Sequence, residues 1–565
     1  MRRAKKESFM IRLTLFLILA FAAACSKPQP VAPEGVEQMT VTLSPQEENI
    51  LATWQLPEAV TEFSFNEGDM PVSEREADWT PQGEGWVFDG QTLSREDGSD
   101  FQEFSFTLPA ASMFYDRYYV PASKVGKGGW VIFANALAPA EGDFEVRFEG
   151  LPESNVIYGA GEITSPDETR DGNTLGIFYV GPAENLSMEG GILIAGPEIP
   201  DAIRTDISDN LENAVTKLTD AWEYAPEIPP AVIITYDRNW HGQSWKGGVR
   251  EEVITFHLRG FDLSDNGSNF AAQLRNTSLH EAVHVWNGTL FESSENSEQS
   301  WVHEGAAEYI ANRLWMDEDI FNAAVQKALN GCILRLGDHS IRDTEIASWG
   351  QTPYRCGHVV HLAAELSALQ HTGKNVLGIW KDVYDATGDE RVYDSATFVT
   401  AAEADGGEPF SDIMTVFNEG LTAENRAALV AHLNALGADI VPLTPEDETS
   451  DETTLSVTVL RELLIDYCDG GYGFTQMPEG FALETAQRCG DALAGDPLVS
   501  SLNGQDLLKA PVAVYFAVRE ACKAREPLVL TRADGTELEP LACPEGVASL
   551  PELYNVRSAG TLPPL

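Results

Sequence analysis

Two histidines and two glutamates in the middle of the chain have the spacing of a metal site with its own base. His280 and His284 are four residues apart, so on a helix both imidazoles face one side and can reach one ion. Glu281 is close enough to take a proton from a metal-bound water. A catalytic zinc ion has three protein ligands, and Glu304 supplies the third. The sequence therefore predicts one catalytic Zn²⁺ per chain, bound by His280, His284 and Glu304.

The surrounding residues predict helices that can position these groups. Thr277 or Ser278 is able to cap the start of the first helix, and Asn287-Gly288 is able to end it. The segment 301–315, which carries Glu304, also has a helical pattern. The first helix has an apolar stripe at helical spacing, made of Leu279, Ala282, Val283 and Trp286. We expect this stripe to pack against a hydrophobic core.

Length and hydropathy patterning indicate a multidomain protein. The 565 residues carry a net charge of −51, which argues against nucleic acid or an anionic lipid surface as partner. Strand-like runs separated by turn residues come first, a mixed α+β region that ends in helices follows, and a small domain comes after an acidic linker. The predicted parts are a β-rich domain at 39–200, a catalytic domain at 201–443, a linker at 444–454 and a C-terminal domain at 455–565.

The N-terminus has the pattern of a targeting segment. Basic residues precede a short apolar run and three alanines, and Cys25 follows. We expect residues 1–24 to be a bacterial lipoprotein signal peptide, Cys25 to carry the lipid, and residues 25–38 to be a tether. The protein would then be held at the cell envelope by its lipid, on the periplasmic face or at the outer membrane. Plain secretion is the alternative.

Six further cysteines fall into three sequential pairs. Fifteen connectivities are possible in principle. Local pairing is the expected one, in an oxidising compartment, because the members of each pair are 21 to 24 residues apart. The expected disulfides are Cys332–Cys356, Cys468–Cys489 and Cys522–Cys543.

The motifs resemble those of the glycyl aminopeptidase family of gluzincin metallopeptidases and, more loosely, of the aminopeptidase N group. The resemblance rests on three segments: His280-Glu281-x-x-His284-x-Trp286-Asn287, Trp301-x-x-Glu304-Gly305, and Tyr354-Arg355-Cys356-Gly357. It implies a thermolysin-like α+β catalytic domain, zinc as cofactor and a peptide or protein as substrate. It also implies that Tyr354 steadies the transition state by donating a hydrogen bond to the oxyanion; an ordinary core tyrosine is the alternative.

Two further assignments come from the chemistry of the residues. Glu308, one turn after Glu304, is able to accept from the free nitrogen of a histidine ligand, or else it is a solvated surface residue. Gly247 and Gly248 precede a strand-like run and are candidates for an edge strand that pairs with an extended substrate, or for a plain hairpin.

The C-terminal region resembles a PDZ domain. Gly471-Tyr472-Gly473-Phe474 is similar to the loop that binds a peptide C-terminus through backbone N–H groups, and a GD…NG turn, a helix and a closing hairpin follow. A disulfide-bearing β-domain of another kind is the alternative.

The expected function is zinc-dependent hydrolysis of peptide bonds by a water that Glu281 activates. Aminopeptidases of the related group hold the free amine of the substrate with carboxylates shortly before the zinc motif, and this sequence lacks that segment; only Ser187-Met188-Glu189-Gly190 is faintly similar. The alternatives are therefore a zinc endopeptidase and a catalytically silent peptide-binding lipoprotein. Intact His280, Glu281, His284, Glu304 and Tyr354 speak against the silent protein.

Overall fold

The computed structural model describes residues 38–565 apart from several short segments. The predicted signal peptide, Cys25 and nearly all of the tether lie outside the described residues, as do Gly471 and Glu189. Within the described part, no helix is both long enough and apolar enough to cross a lipid bilayer. The segments left out are 67–69, 111–118, 188–191, 241–243, 251, 262, 264–267, 295–298, 348–349, 448–453, 469–471, 486–488, 490–492 and 494.

The N-terminal region is rich in β-structure, as its alternating pattern predicts. Its elements are β1 (Met39–Pro45), β2 (Asn49–Val60), β3 (Glu62–Ser64), α1 (Val72–Asp78), β4 (Thr80–Pro81), β5 (Trp86–Phe88), β6 (Thr92–Arg95), β7 (Phe101–Pro109), β8 (Ala122–Val125), β9 (Gly129–Phe133), β10 (Phe144–Phe148), β11 (Asn155–Gly159), β12 (Glu162–Thr164), β13 (Arg170–Asp171), α2 (Gly172–Leu175) and β14 (Ile177–Pro182). One sheet has the order β13–β10–β1–β2–β7–β4, a second β12–β11–β14–β9–β8, and a third β3–β6–β5. Alternate residues of β2 point inward, and Trp54 among them stacks on Phe104 with ring centroids 5.2 Å apart.

A further sheet lies beside the metal-site motif. Its strands are β15 (Leu186–Ser187), β16 (Ile192–Ala195), β17 (Ala231–Asp237), β18 (Ser244–Arg250) and β19 (Val253–Arg259), in the order β15–β16–β17–β19–β18. Strands β16, β17 and β19 are parallel, and β18 runs antiparallel to β19 at the edge. The predicted boundary at residue 200 therefore falls after two strands of this sheet. A short apolar strand does not reveal its partner from local pattern.

Helices follow this sheet, as the 3.6-residue pattern predicts. They are α3 (Asp201–Trp222), α4 (Ser268–His284), α5 (Ser300–Trp315), α6 (Glu318–Leu336), α7 (Thr344–Ala347), α8 (Thr352–His371), α9 (Val376–Thr387), α10 (Ser395–Glu419, kinked at Gly407) and α11 (Ala423–Ala435), with the short strands β20 (Glu292–Ser293), β21 (Val392–Tyr393) and β22 (Asp439–Pro442). Ile203, Ile207 and Leu211 of α3 pack on the apolar face of the sheet.

Helix α4 begins nine residues before the earlier of the two predicted caps. Thr277 and Ser278 lie inside the helix, where their hydroxyls donate to the carbonyls of Gln273 and Leu274 at 3.0 and 2.8 Å. The prediction of a cap there was wrong because a hydroxyl can bond back to residue i−4 as readily as it caps. After His284 the chain continues as a π-helical segment, Val285–Leu290.

The C-terminal region packs against the helices that precede it. Its elements are α12 (Thr454–Tyr467), β23 (Gly473–Met477), β24 (Gly480–Glu484), β25 (Leu498–Leu502), β26 (Gln505–Asp506), α13 (Pro511–Ala524), β27 (Leu530–Arg532), α14 (Glu545–Ala548) and β28 (Tyr554–Ser558). Strand β28 returns to pair with β22, before the predicted linker. Side-chain amides at three successive turns of α6 bond the backbone at and just after β28: Asn330 with Tyr554, Gln326 with Val556, and Asn322 with Ala559.

The structure contains the three local disulfides expected from the cysteine spacing. Cys332–Cys356 joins α6 to α8, both buried. Cys468–Cys489 and Cys522–Cys543 lie in the C-terminal region. The spacing alone was sufficient here because each pair is close in sequence.

Candidate metal centre

The side chains of His280, His284 and Glu304 meet at one point between α4 and α5. His280 Nε2 lies 3.1 Å from Glu304 Oε2 and 3.1 Å from His284 Nε2, and His284 Nε2 lies 3.2 Å from Glu304 Oε2. Both histidines are buried and Glu304 is partly buried. The predicted ligand set is thus brought together as a triangle of one oxygen and two nitrogens.

This triangle fits a zinc ion. Two donors that each lie about 2.0–2.1 Å from a tetrahedral zinc are about 3.3 Å apart, close to the three separations observed. Two imidazoles and one carboxylate are also a donor set that zinc uses in catalytic sites, and it leaves a fourth position free. His280, His284 and Glu304 would therefore hold the ion.

Asn287 orients one of the two imidazoles. Its Oδ1 lies 2.8 Å from His284 Nδ1, and its Nδ2 donates to the carbonyl of His303 at 3.0 Å. Because the amide oxygen can only accept, His284 Nδ1 carries the proton and Nε2 is left with its lone pair toward the triangle. Sequence reasoning missed this role, although the asparagine three residues after His284 was visible in the motif.

Glu308 stands behind the other imidazole. Its Oε2 lies 3.4 Å from His280 Nδ1, and its Oε1 lies 3.5 Å from Arg355 Nη1. These are ion-pair distances, and His280 Nδ1 forms no hydrogen bond with any of the described residues. The predicted neighbour of a histidine ligand is thus in place, with Arg355 holding its far oxygen.

The charges around the triangle favour a cation. Burial by itself would lower the pKa of His280, but the hydrogen bond to Glu304, the nearby Glu308 carboxylate and the charge of Glu281 raise it to about 10. Burial would raise the pKa of Glu304, but the imidazoles of His284 and His280 hold it well below its usual range. Carboxylates that surround two imidazoles in this way stabilise added positive charge, which a proton or a metal ion can supply.

Glu281 and Tyr354 face the same open space. Both line a cavity of about 770 Å³ and a second one of about 440 Å³ beside it. Burial raises the pKa of the Glu281 carboxyl, while His280 and His284 oppose that shift. Tyr354 lies in the first turn of α8 with its ring stacked on His280, centroids 5.6 Å apart. Burial, then the charges of Glu304 and Glu281, raise the pKa of Tyr354, so its hydroxyl keeps its proton.

A glycine pair brings α5 and α8 together next to the site. A Cβ on Gly305 would lie 2.3 Å from Gly357 Cα, and one on Gly357 would lie 2.1 Å from the carbonyl oxygen of Trp301. Neither position accepts a side chain without moving backbone. Gly305 follows Glu304 directly, and Gly357 is one turn after Tyr354, so this contact sets the distance between the two functional side chains.

His303 is not directed at the triangle. Its Nδ1 lies 2.8 Å from the carbonyl oxygen of Asn287, and its ring stacks on that of His284 with centroids 4.2 Å apart. Burial lowers the pKa of His303 to about 3, with the charge of His284 acting in the same direction, so the imidazole is neutral. This arrangement leaves His303 outside the ligand triangle.

Gly247 and Gly248 lie on the edge strand β18, alongside α4. Gly247 pairs with Phe256 of β19 and Gly248 with Thr255, and no strand among the described residues pairs with β18 on its other side. Gly247 lines both cavities, and Gly248 lines the smaller one. A Cβ on Gly247 would lie 2.9 Å from the Phe256 ring, so packing on β19 already accounts for this glycine.

The C-terminal candidates lie elsewhere. Tyr472 directly precedes β23, and Gly473 and Phe474 begin that strand. Among the residues described, none of these three lines either cavity at the metal centre.

The disulfide next to Tyr354 leads to a prediction about stability. It closes a loop of about 25 residues, which the chain-entropy account values at about 3 kcal/mol. Replacing both Cys332 and Cys356 with alanine should lower Tm. It should also lower activity, because α8 positions Tyr354 and a small misplacement of a catalytic group can lower the rate by up to about 10²-fold. Zinc content should stay the same. Thermal unfolding, metal analysis and rate measurements on one preparation would check this, and unchanged activity would show that the disulfide does not position Tyr354.

Comparison with known proteins gives similarity in structure only. No protein-family model and no curated protein matches the sequence. The chain is similar to the crystal structure of an aminopeptidase N family protein from Idiomarina loihiensis, with a TM-score of 0.59 and 13% identity over 92% of this chain and 98% of that one.

Two other crystal structures align less well. A mutant two-domain M1 zinc metallopeptidase bound to L-tryptophan gives a TM-score of 0.37 at 13% identity, covering 70% of this chain and 95% of that one. An M1 zinc metallopeptidase from Deinococcus radiodurans gives a TM-score of 0.38 at 14% identity, covering 73% of this chain and 95% of that one. The chain thus combines a fold similar to that of the Idiomarina loihiensis protein with an intact His–His–Glu site.

Proposed function

We propose that this chain is a zinc-dependent peptidase with a gluzincin mechanism. The observation that carries the proposal is the convergence of His280, His284 and Glu304 at 3.1–3.2 Å, with Glu281 and Tyr354 facing the same cavities. The fold similarity to an aminopeptidase N family protein supports it. A silent binding protein would have no reason to keep all five groups together.

Each side chain has one task in the reaction. A bound zinc ion supplies Lewis acidity that lowers the pKa of water to about 7 and polarises the peptide carbonyl. Glu281 takes the proton of the attacking water and delivers it to the leaving amine. Tyr354 donates a hydrogen bond to the oxyanion. Asn287 and Glu308 hold the two histidine ligands in orientation.

The edge strand β18 can form backbone hydrogen bonds with an extended substrate. An edge strand presents unpaired N–H and C=O groups, and extended peptides bind such edges by adding a strand. We assign this role to the segment around Gly247 and Gly248, which borders the cavities. A glycyl aminopeptidase-like activity remains part of the proposal, and an endopeptidase is the second candidate, since the cavities at Glu281 and Tyr354 offer room on more than one side.

Location and the C-terminal region are further parts of the proposal. Three disulfides support an extracytoplasmic compartment. We propose a lipid anchor at Cys25, and a PDZ-like domain whose Gly471–Phe474 loop binds peptide C-termini; the alternatives are secretion and a different β-domain. Labelling with a lipid precursor tests the anchor, and binding of C-terminal peptides in acid and amide form tests the loop.

Digestion of a peptide library is the direct test of the function. The purified mature protein should contain about one zinc per chain and cleave peptides, and mass spectrometry would show whether single N-terminal residues or internal bonds are released. A chelator should abolish cleavage and added zinc should restore it. No cleavage by a fully zinc-loaded protein would overturn the proposal.

The contribution of Tyr354 gives a separate prediction. Tyr354→Phe removes one oxyanion donor and keeps the ring that stacks on His280. We expect kcat to fall by about 10²–10³, with a much smaller change in KM, because the hydroxyl would act only in the transition state. Steady-state kinetics on a peptide from the library measures both. If KM rose and kcat stayed the same, Tyr354 would instead be a substrate-binding residue.

A further inference from the structure

The smaller cavity beside the metal centre has an unusual balance of charge. Its volume is about 440 Å³, and its wall includes Glu281, His284 and Glu304. The carboxylates in its wall among the described residues are Glu281 and Glu304, which the proposed function already uses as base and ligand. No carboxylate of the described wall is left to receive the free amine of a substrate.

Arg250 is the cation of this wall. It ends β18, and it is the single lysine or arginine among the described residues that line the cavity. Its guanidinium lies over the rings of Phe133 and Tyr119, 5.3 and 5.9 Å from their centroids. Tyr119 in turn donates to the carbonyl of Val249, which fixes the strand beside it. Aromatic faces therefore hold the arginine, and its N–H donors bond no group of the described residues.

Arg250 forms no ion pair within the described part of the chain, where its guanidinium contacts the two aromatic rings. This is notable in a chain with 88 Asp and Glu residues against 37 Lys and Arg. A net charge of −51 repels acidic ligands at long range, so binding one needs a local cation. An arginine fork matches a carboxylate in two parallel hydrogen bonds.

We propose that Arg250 forms a carboxylate subsite, so that the enzyme prefers substrates with a negatively charged group next to the bond that is cut. The group is either an acidic side chain or the C-terminal carboxylate of the substrate; both present the same two oxygens to the guanidinium. The proposal rests on the proposed peptidase function and adds its substrate class. It also fits the described wall, in which no carboxylate is left for a free amine, and it weighs against the aminopeptidase candidate, since Arg250 would repel an ammonium group.

Matched peptides test the subsite. A peptide that the library shows to be cut is made with Glu or Gln at each position around the cleaved bond, and with a C-terminal acid or amide. We expect kcat/KM to be about 10- to 100-fold higher for the charged member at one position, the range of a hydrogen bond to a charged group. Arg250→Gln should bring this ratio close to one, and Arg250→Lys should keep part of it.

A control variant separates local from general effects. Arg95 also lies over an aromatic ring, Trp86, at 4.4 Å, but in the N-terminal region. Arg95→Gln should leave the preference intact. A charge preference that persists in Arg250→Gln, or equal rates for charged and neutral members with the natural protein, would overturn the subsite.

Binding measurements keep the subsite testable apart from hydrolysis. Calorimetric titration of zinc-loaded Glu281→Gln protein, with and without Arg250→Gln, reports affinity alone. The ligands are Glu/Gln and acid/amide pairs made on one fixed peptide sequence, whether or not that peptide is cut. A preference for the charged member that Arg250→Gln removes would support the subsite even if the natural protein cut no peptide, in which case only the peptidase function fails. A preference confined to the C-terminal acid identifies the chain terminus as the source, and one confined to internal Glu identifies the side chain.

Discussion

Replacing Glu281 with glutamine is expected to remove most of the peptidase rate while zinc stays bound. Glutamine has the same shape but cannot take a proton, and a positioned base contributes about 10²–10⁴-fold. Glu281 is not one of the three groups that form the triangle, so metal affinity should change little. The measurement is kcat/KM with a library-derived peptide, together with zinc per chain.

A matched control makes this result specific. Glu212, on the exposed face of α3, can be changed to glutamine in the same way and should leave both rate and zinc content unchanged. Unchanged hydrolysis in Glu281→Gln would remove Glu281 from the mechanism. Loss of zinc along with the rate would instead give it a part in holding the ion.

Replacing Glu304 with alanine should have the largest effect on the metal. Two imidazoles alone leave zinc without a third protein ligand, and the negative charge closest to both Nε2 atoms is lost. We expect zinc affinity to fall by more than about 100-fold, beyond the about 10–100-fold that loss of an outer hydrogen-bonding partner costs. Competition with a chelator of known affinity measures this.

Glu308→Ala is the matched comparison. Glu308 lies on the same helix, but it contacts His280 Nδ1 and is not one of the three groups that would hold the ion. In Glu308→Ala, zinc affinity should fall by about 10- to 100-fold, so the zinc affinities of the two variants should differ clearly. Full zinc occupancy in Glu304→Ala under competition would refute the ligand assignment.

The metal ligands could be predicted because their geometry is local. Helical spacing places His280 and His284 together, and one further helix brings Glu304. The sequence did not predict three long-range features: β28 pairs with β22, β16 pairs with β17, and Arg250 lines the smaller cavity. Such pairings depend on the whole topology, whereas local propensity reports only that a strand exists.

Smaller misjudgements have local causes. Thr277 and Ser278 are residue types that often cap helices, yet both lie more than two turns inside a longer helix, where their hydroxyls bond to backbone carbonyls one turn earlier. Asn287 belongs to the motif, but its bond to His284 depends on the π-helical turn after α4. A π-turn has no reliable sequence pattern and is often found where function needs an altered helix end.

The contact between Gly305 and Gly357 has a consequence for how this enzyme can evolve. A substitution there would shift α5 against α8 and so move Glu304 and Tyr354 together. In the proposed mechanism, binding of the metal ion depends on Glu304 and turnover depends on Tyr354. Mutational paths that adapt the site to another ion through this helix pair would therefore change the rate as well, so the two properties cannot be selected independently at these positions.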